Sequence, residues 1–202
     1  MKAFTPVREW LNGRNTQLNQ RQLLLIRQYT RLRSVKAKTI LMQQDHPVQQ
    51  FYFLNSGIVR LFRMQEGNDH TLGLISSHDF LAAPQLVLSG EISTCGLETL
   101  TDADLLVWDA AAIDTIKRLV PEVYNIELAL MARMLNWVQQ NHIELICFPA
   151  EKRYQLLMEQ QPELFLHIPL KYIASYLGIH TDSLSRIRKA GASEGSRSRP
   201  RE

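Results

Sequence analysis

The sequence predicts an α+β fold, with a strand-rich N-terminal half, a long helix and a short helical unit near the C-terminus. Three observations support this prediction. Short apolar or alternating runs occur between about residues 35 and 108, turn-forming residues separate those runs, and apolar residues recur at helical spacing on both sides of them. Because the strands are grouped rather than interleaved with helices, a sandwich or small barrel is favoured over a βαβ sheet.

The composition is that of a globular protein without a disulfide or metal framework. The 202 residues are 45% apolar, enough for one large domain or a medium domain with a small one. The net charge of +3 permits nucleic-acid binding without requiring it. Cys95 and Cys147 stand alone, and neither a leader-like start nor a run of about 20 apolar residues occurs, so we expect a cytoplasmic protein without a membrane contact.

The first part of the chain is predicted to pass from helix to strand near residue 35. Residues 5–12 and 19–35 have helical character, since Leu24, Leu25 and Leu32 recur near helical spacing. Residues 55–57, Asn-Ser-Gly, predict a tight hairpin turn in which the glycine takes a positive φ. Strands are predicted in five runs: KTILMQ, QFYFLN, IVRLFRM, HTLGLIS and LETLTDADLLVW.

A long helix is predicted over residues 121–148, after a shorter one that Asp109 caps. The long helix has two apolar stripes, so either both pack in one core or one meets a second copy of the chain. We favour a dimer helix, because its length of roughly 40 Å exceeds what a small domain covers. Asn141 would then fix the register of the pair. The stripe assigned to the dimer is Ile126, Leu130, Met134, Trp137, Asn141 and Leu145, and the second stripe is Leu128, Met131, Leu135 and Val138.

Two short helices on either side of Gly178 have the spacing of a helix-turn-helix. Pro169 begins the first helix, Gly178 ends it as a left-handed cap, and Thr181 or His180 starts the second. Ile173, Ala174, Leu177, Leu184 and Ile187 are expected to face inward, so the second helix presents polar side chains outward. An ordinary helical hairpin is the alternative, and the combined offsets favour DNA binding.

The segments YFLNSGIVRLF, TLGLISSHDF and PLKYIASYLGIHTDSLSRIRK resemble the Crp/Fnr transcription regulators, and the resemblance covers nearly all of residues 1–189. It implies a β-roll sensor domain of the cyclic-nucleotide-binding type with flanking helices, followed by a dimerisation helix and a DNA-binding domain that reads pseudo-palindromic double-stranded DNA as a homodimer. The corresponding units are residues 1–120, 121–148 and 149–189, with 190–202 as a disordered tail. Most members continue into a β-hairpin wing, which is missing here and predicts fewer phosphate contacts.

The resemblance carries an acidic-x-x-Ser-Arg base-reading set onto Asp182, Ser185 and Arg186. The chemistry is consistent with this, since an arginine pairs with guanine O6 and N7 and a carboxylate accepts from the cytosine amino group. Phosphate contacts, which set position rather than sequence, are expected from Lys171, Thr181, Arg188 and Lys189.

The cyclic-AMP cassette of this family is degenerate in the sequence. The family uses a Gly-Glu pair for the ribose and an Arg-Ser pair for the cyclic phosphate, whereas this chain has His78-Asp79 and Ser93-Thr94 at those places. A buried phosphate without a guanidinium partner is costly, so we expect no tight cyclic-nucleotide binding. Asp79, Ser93 and Thr94 would line a degenerate pocket open to another, unknown small effector.

Other function classes find little support in the sequence. Histidines 46, 70, 78 and 142 lack metal-ligand spacing, no cysteine cluster is present, and nothing pairs a nucleophile with a base, so no cofactor, metal or catalytic activity is expected. Two alternatives stay open: a regulator that does respond to a cyclic nucleotide, and a ligand-binding module acting through protein contacts. Activation would also need a contact with RNA polymerase, which no local pattern identifies.

Overall fold

Two four-stranded antiparallel sheets make up most of the N-terminal half in the computed structural model, which describes residues 2–12, 18–81 and 84–197. The first sheet has the order β1-β8-β3-β6 and the second β2-β7-β4-β5. Except at the β4–β5 hairpin, consecutive strands thus lie in different sheets, as expected for a β-roll. The strands are β1 Arg31–Val35, β2 Ile40–Met42, β3 Gln50–Ser56, β4 Val59–Gln65, β5 Asn68–Ile75, β6 Asp79–Leu81, β7 Gly96–Thr99 and β8 Ala103–Asp109.

Helices flank the sheets and form the whole C-terminal part. A 3-10 turn, Lys2–Phe4, precedes the first of them. No helix within the described ranges is long and apolar enough to cross a membrane. The helices are α1 Thr5–Asn12, α2 Gln20–Gln28, α3 Pro84–Ser89, α4 Ala110–Leu119, α5 Val123–Cys147, α6 Ala150–Gln160, α7 Leu164–His167, α8 Leu170–Tyr176 and α9 Thr181–Arg197.

The core of the β-roll centres on the paired strands β3 and β8. Both read as nearly continuous apolar runs, and Phe53 lies opposite Leu106 in the antiparallel register. Phe53, Leu54 and Leu105 are fully buried, because these strands are covered on both faces. Helices α1, α2, α4 and the start of α5 contribute to the same core.

The turn predicted at residues 55–57 has the expected backbone conformation, but the two strands that it joins do not pair with each other. Gly57 has a φ of +104°, and a Cβ there would lie 2.6 Å from the carbonyl oxygen of Asp102. Strands β3 and β4 belong to different sheets, so this turn is a crossing rather than a hairpin. The β4–β5 hairpin turns at Glu66 and Gly67, which both have positive φ, as a type I′ turn requires.

The predicted helix over residues 19–35 ends at Gln28, and the last part is a strand. Asn19 caps α2 through a capping box with Gln22. Arg31–Val35 pairs along its whole length with β8, and Leu32 on this strand is exposed. Tertiary pairing with β8 therefore overrides the helical spacing. Strand β6 and helix α3 were not predicted either.

The start of the stripe assigned to the dimer packs within the same chain, which corrects that assignment for its first two residues. Ile126 and Leu130 are buried in the β-roll core. Trp137 lies over Gly73 of β5, where a Cβ would be 3.0 Å from the indole ring. Asn141 accepts a hydrogen bond of 3.1 Å from the Tyr176 hydroxyl, while its Nδ2 has no partner among the described residues, and its role in a dimer register stays a prediction. Met134 lines a pocket and Leu145 lies beside Gly178, yet they leave 40% and 53% of their surface exposed.

The second stripe is the exposed face of α5. Leu128, Leu135 and Ile146 each expose 68% of their surface, and Val138 exposes 54%. At 100° per residue these positions, with Met131 between them, follow one side of the helix over about five turns. Helix α5 therefore buries the start of one stripe within its own chain and leaves the other stripe largely uncovered.

The predicted disorder of residues 190–202 is corrected for the first eight of them. Helix α9 continues to Arg197. No proline interrupts the sequence before Pro200, so a helix nucleated at Thr181 can propagate through this segment. Residues 198–202 lie outside the described part of the chain.

Candidate functional site

The two short helices α8 and α9 are joined by a turn that stops the first helix and redirects the chain. Gly178 has a φ of +64°, a conformation that glycine adopts without strain. Its N–H donates to the carbonyl of Ser175, and the N–H of Ile179 donates to that of Ala174, each at 3.0 Å. This is the Schellman arrangement, which satisfies the last carbonyls of α8.

Four of the five predicted inward positions of the two helices are buried together, whereas Ile187 is half-buried and lies outside their cluster. Ile173 and Ala174 of α8 and Leu184 of α9 have almost no exposed surface, and Leu177 lies beside them. They share one cluster with Leu157 and further residues of α6 and α7. The small side chain of Ala174 lets α8 and α9 approach, so the cluster fixes the angle between them.

Burial of Leu184 turns the opposite side of α9 outward. Asp182 and Arg186 are exposed and Ser185 is half-buried, and in projection Asp182 lies between the other two. These three positions lie on one side of the helix at 100° per residue. The Ser185 hydroxyl donates its proton to the carbonyl of Thr181 at 3.0 Å. Its oxygen can still accept a hydrogen bond from another molecule.

The expected phosphate-binding side chains surround that face. Lys171, Thr181, Arg188 and Lys189 are all exposed. Within the part of the chain that the structure describes, none of the three cations among them, nor Arg186, forms an ion pair. Their charge is therefore available to an external anion.

The helical unit is docked against the second sheet. The backbone N–H of Thr71 in β5 donates to the Ser175 hydroxyl of α8 at 2.8 Å. Ile58, which follows β3, and Leu74, which lies in β5, are buried in the cluster of the helical unit rather than in the β-roll core. The β-roll and the two-helix unit therefore share an apolar interface.

Arg60 is the charged centre of this docking surface. Only 5% of the residue is exposed. Its guanidinium holds both oxygens of Asp69 at 2.7 and 2.9 Å and one oxygen of Glu98 at 2.7 Å. Its central carbon lies 4.3 Å from the centre of the Tyr172 ring of α8. Burial tends to lower the pKa of Arg60, but the hydrogen bonds to both carboxylates raise it overall, so the group stays charged.

A second set of polar contacts joins α5 and α6 to the helix pair. Arg153 donates to the carbonyl of Leu177 at 2.6 Å and to that of Phe148 at 2.8 Å. Burial, and then the nearby Glu144 carboxylate, raises the pKa of Tyr176 to about 12. A protonated phenol suits its position, because it must donate to Asn141.

A pocket of about 570 Å³ lies between the second sheet and α5. It brings together Asp79, Ser93 and Thr94, as predicted, and adds His78. His78 has a φ of +70°, and its N–H donates to the carbonyl of Leu54 at 2.6 Å. This left-handed conformation explains why the resemblance places a glycine at that position.

Sequence reasoning missed Arg133, which reaches this pocket from α5. One of its terminal nitrogens forms an ion pair with Asp79. The other Asp79 oxygen accepts from the N–H of Phe80 at 2.7 Å. The residue lies outside the cassette, and only the helical position facing the pocket could have identified it. The Ser93 hydroxyl, in turn, is used locally by a hydrogen bond of 2.8 Å to the carbonyl of Cys95.

Among the described residues, no group of three or more His, Cys, Asp or Glu side chains is arranged to hold a metal ion. Cys95 is partly buried beside the pocket and Cys147 is exposed, and both are free thiols. Two surfaces therefore have the groups to bind another molecule: the exposed face of α9 and the pocket beside α5.

Comparison with known proteins agrees with this architecture. Residues 32–118 match the family model described as the cyclic nucleotide-binding domain. No curated protein sequence matches the chain. Among solved structures, FixK2 from Bradyrhizobium japonicum has a TM-score of 0.72 at 18% identity, with 82% of this chain and 86% of that chain covered.

Two further structures are similar over most of their length. The c-di-GMP responsive global regulator CLP from Xanthomonas campestris has a TM-score of 0.68 at 16% identity, covering 88% of this chain and 93% of that one. A protein from Eubacterium rectale assigned to the Crp/Fnr family has a TM-score of 0.67 at 20% identity, covering 95% and 89%. Residues 32–118 therefore resemble the cyclic nucleotide-binding domain, and the chain shares its fold with the Crp/Fnr-family structure from Eubacterium rectale.

Proposed function

We propose that the chain is a homodimeric, sequence-specific DNA-binding transcription regulator without catalytic activity. The observation that carries this proposal is the outward face of α9, where Asp182, Ser185 and Arg186 lie side by side with unpaired cations around them. A helix in the major groove reads bases with side chains of this kind and uses flanking cations for phosphates.

The exposed stripe of α5 supports the homodimer. Leu128, Leu135 and Ile146 are large apolar side chains with most of their surface uncovered. Leu128 and Leu135 are seven residues apart, and Met131 and Val138 repeat in the same way, so the same helix of a second chain is the partner that matches this part of the stripe. Two α9 helices would then meet half-sites about one turn of DNA apart.

We infer that cyclic AMP is not the effector. The two cassette positions are engaged within the chain, since Asp79 is held by Arg133 and the Phe80 N–H, and the Ser93 hydroxyl donates to the carbonyl of Cys95. The only guanidinium among the described residues that line the pocket is Arg133, which comes from α5 and not from the cassette position that the resemblance assigns to the cyclic phosphate. A contact with RNA polymerase would follow only if the protein activates transcription.

Replacing Arg186 by alanine tests base reading. We expect binding to the selected operator to weaken by about 1–3 kcal/mol, with little change on random DNA, because a bidentate arginine contact discriminates between bases. The matched control is Arg188→Ala, which removes a neighbouring phosphate contact. It should weaken both DNAs alike and lower the salt slope by about one.

The operator is first obtained by selecting bound fragments from a genomic library with the unaltered protein. Competition shift assays at several salt concentrations then compare the two variants. An equal loss on operator and random DNA for Arg186→Ala would remove this residue as a base reader. Salt-independent binding, or none at all, would favour the module that acts through protein contacts.

A further inference from the structure

The pocket beside α5 has walls from all three parts of the chain. The β-roll supplies most of its lining, and Arg133 and Trp137 reach it from α5. Gln161, which caps the end of α6 in the DNA-binding unit, also lines it. Its volume of about 570 Å³ lies within the range of small-molecule sites. A molecule bound here touches the sensor, the long helix and the DNA-binding unit at once.

We propose that this pocket binds a small amphipathic anion, a carboxylate on an apolar body, with Arg133 as its charge partner and Gln161 as its contact in the DNA-binding unit. This inference rests on the proposed function, because it names the effector class of that regulator. Both of these contact residues lie outside the matched domain of residues 32–118.

Arg133 has bonding capacity for a second carboxylate. A guanidinium carries five N–H donors, and Asp79 takes one terminal nitrogen in the described structure. Arg60 of the same protein shows the two-anion arrangement, since it holds Asp69 and Glu98 together. A ligand carboxylate can therefore join Asp79 on Arg133 or replace it.

The rest of the pocket suits an apolar body better than a sugar. Trp137 and Met134 of α5 face Leu61 and Leu97 of the second sheet across it. These side chains offer area but no hydrogen bonds for ribose hydroxyls, whose burial would go unpaired. An alkyl or ring system packed against the Trp137 indole contributes by burial alone.

Gln161 adds a polar group that lacks a hydrogen-bond partner among the described residues. Its side-chain oxygen Oε1 is buried and accepts no hydrogen bond from the described residues. A buried acceptor of this kind costs free energy until a donor reaches it. A hydroxyl or amino group on the ligand can supply that donor, and the ligand then contacts the end of α6 directly.

Sodium octanoate and its neutral isostere octanamide form the matched pair of probes, measured by titration calorimetry on the full chain. Octanoate should bind at least about tenfold more tightly than octanamide, because only the carboxylate can form charge-assisted hydrogen bonds with Arg133. Arg133→Gln should remove that preference. Arg118→Gln, which alters an exposed arginine on α4, should keep it.

Asp79→Asn gives a test that misfolding cannot imitate. It removes the carboxylate competing for Arg133, so octanoate should bind more tightly than to the unaltered protein. Equal affinities for octanoate and octanamide, or a preference that survives Arg133→Gln, would overturn the proposal. Weaker octanoate binding by Asp79→Asn would do so too. If operator binding by the ligand-free protein persists in those cases, the DNA-binding assignment stands and only the effector class fails.

Discussion

Arg60 and Arg186 show how burial assigns two arginines to different roles. Arg60 is enclosed by Asp69, Glu98 and the Tyr172 ring, so its charge is satisfied within the chain. Arg186 is exposed on α9 and forms no ion pair within the described residues. A buried, fully bonded guanidinium holds structure together, whereas an exposed one is free to pair with a base edge.

The Tyr176 phenol makes the free energy of unfolding depend on pH in the alkaline range. Its pKa is raised to about 12 in the folded chain, against 10.0 in the unfolded one. The folded state therefore holds the phenol proton more tightly, and this contribution is complete below pH 10 and lost as pH rises toward 12. We expect Tyr176→Phe to be less stable than the unaltered protein at neutral pH, with the difference shrinking between pH 10 and 12. Urea melts at each pH measure it, and a difference that grows with pH would contradict the assignment.

At the scale of single elements, the sequence predicted where a helix or turn begins and ends better than which of its faces is buried. The N-cap at Asp109 and the positive φ at Gly57 and Gly178 follow from one residue and its neighbours, and the structure confirms them. The strand at residues 31–35 could not be predicted in this way, because its state depends on pairing with β8. Periodicity likewise detected both stripes of α5 but could not tell which one the same chain would cover.

Leu135→Asp tests the corrected dimer face. The chain has a mass of 23.3 kDa, and we expect the unaltered protein to have twice that mass by light scattering. An aspartate on the exposed stripe would bury two facing charges in the dimer, which costs several kcal/mol, so the variant should be monomeric.

Asn136→Asp is the matched control, because it adds the same charge at an exposed neighbouring position on another side of α5. It should remain dimeric. A dimeric Leu135→Asp variant would show that the partner of this stripe is not a second copy.

At the scale of the whole molecule, the site depends on contacts between parts of the chain that are distant in sequence. The exposed face of α9 proposed for base reading could be predicted, because all of its residues lie within one helix. The pocket could be predicted only in part: Asp79, Ser93 and Thr94 came from the resemblance. Arg133 and Gln161 arrive from helices whose placement only the three-dimensional structure gives.

Tyr172 tests whether the docking of the two units is held by the ring on Arg60. Tyr172→Ala removes a cation–π contact worth about 0.5–2 kcal/mol and should speed amide hydrogen exchange in β5 and α8 together. Tyr172→Phe keeps the ring and should exchange like the unaltered protein. Faster exchange in α8 alone would mean that the two units do not move apart as a pair.

The contact between Thr71 and Ser175 has a further consequence for solubility. Strand β5 is the outermost strand of its sheet, so one side of its backbone has no neighbouring strand to bond with. Such an open edge invites pairing with another molecule, and here helix α8 covers it and uses one of its N–H groups. Helix α8 and the cluster around it thus shield this edge strand, and any state in which α8 separates from β5 exposes an aggregation-prone surface together with Ile58 and Leu74.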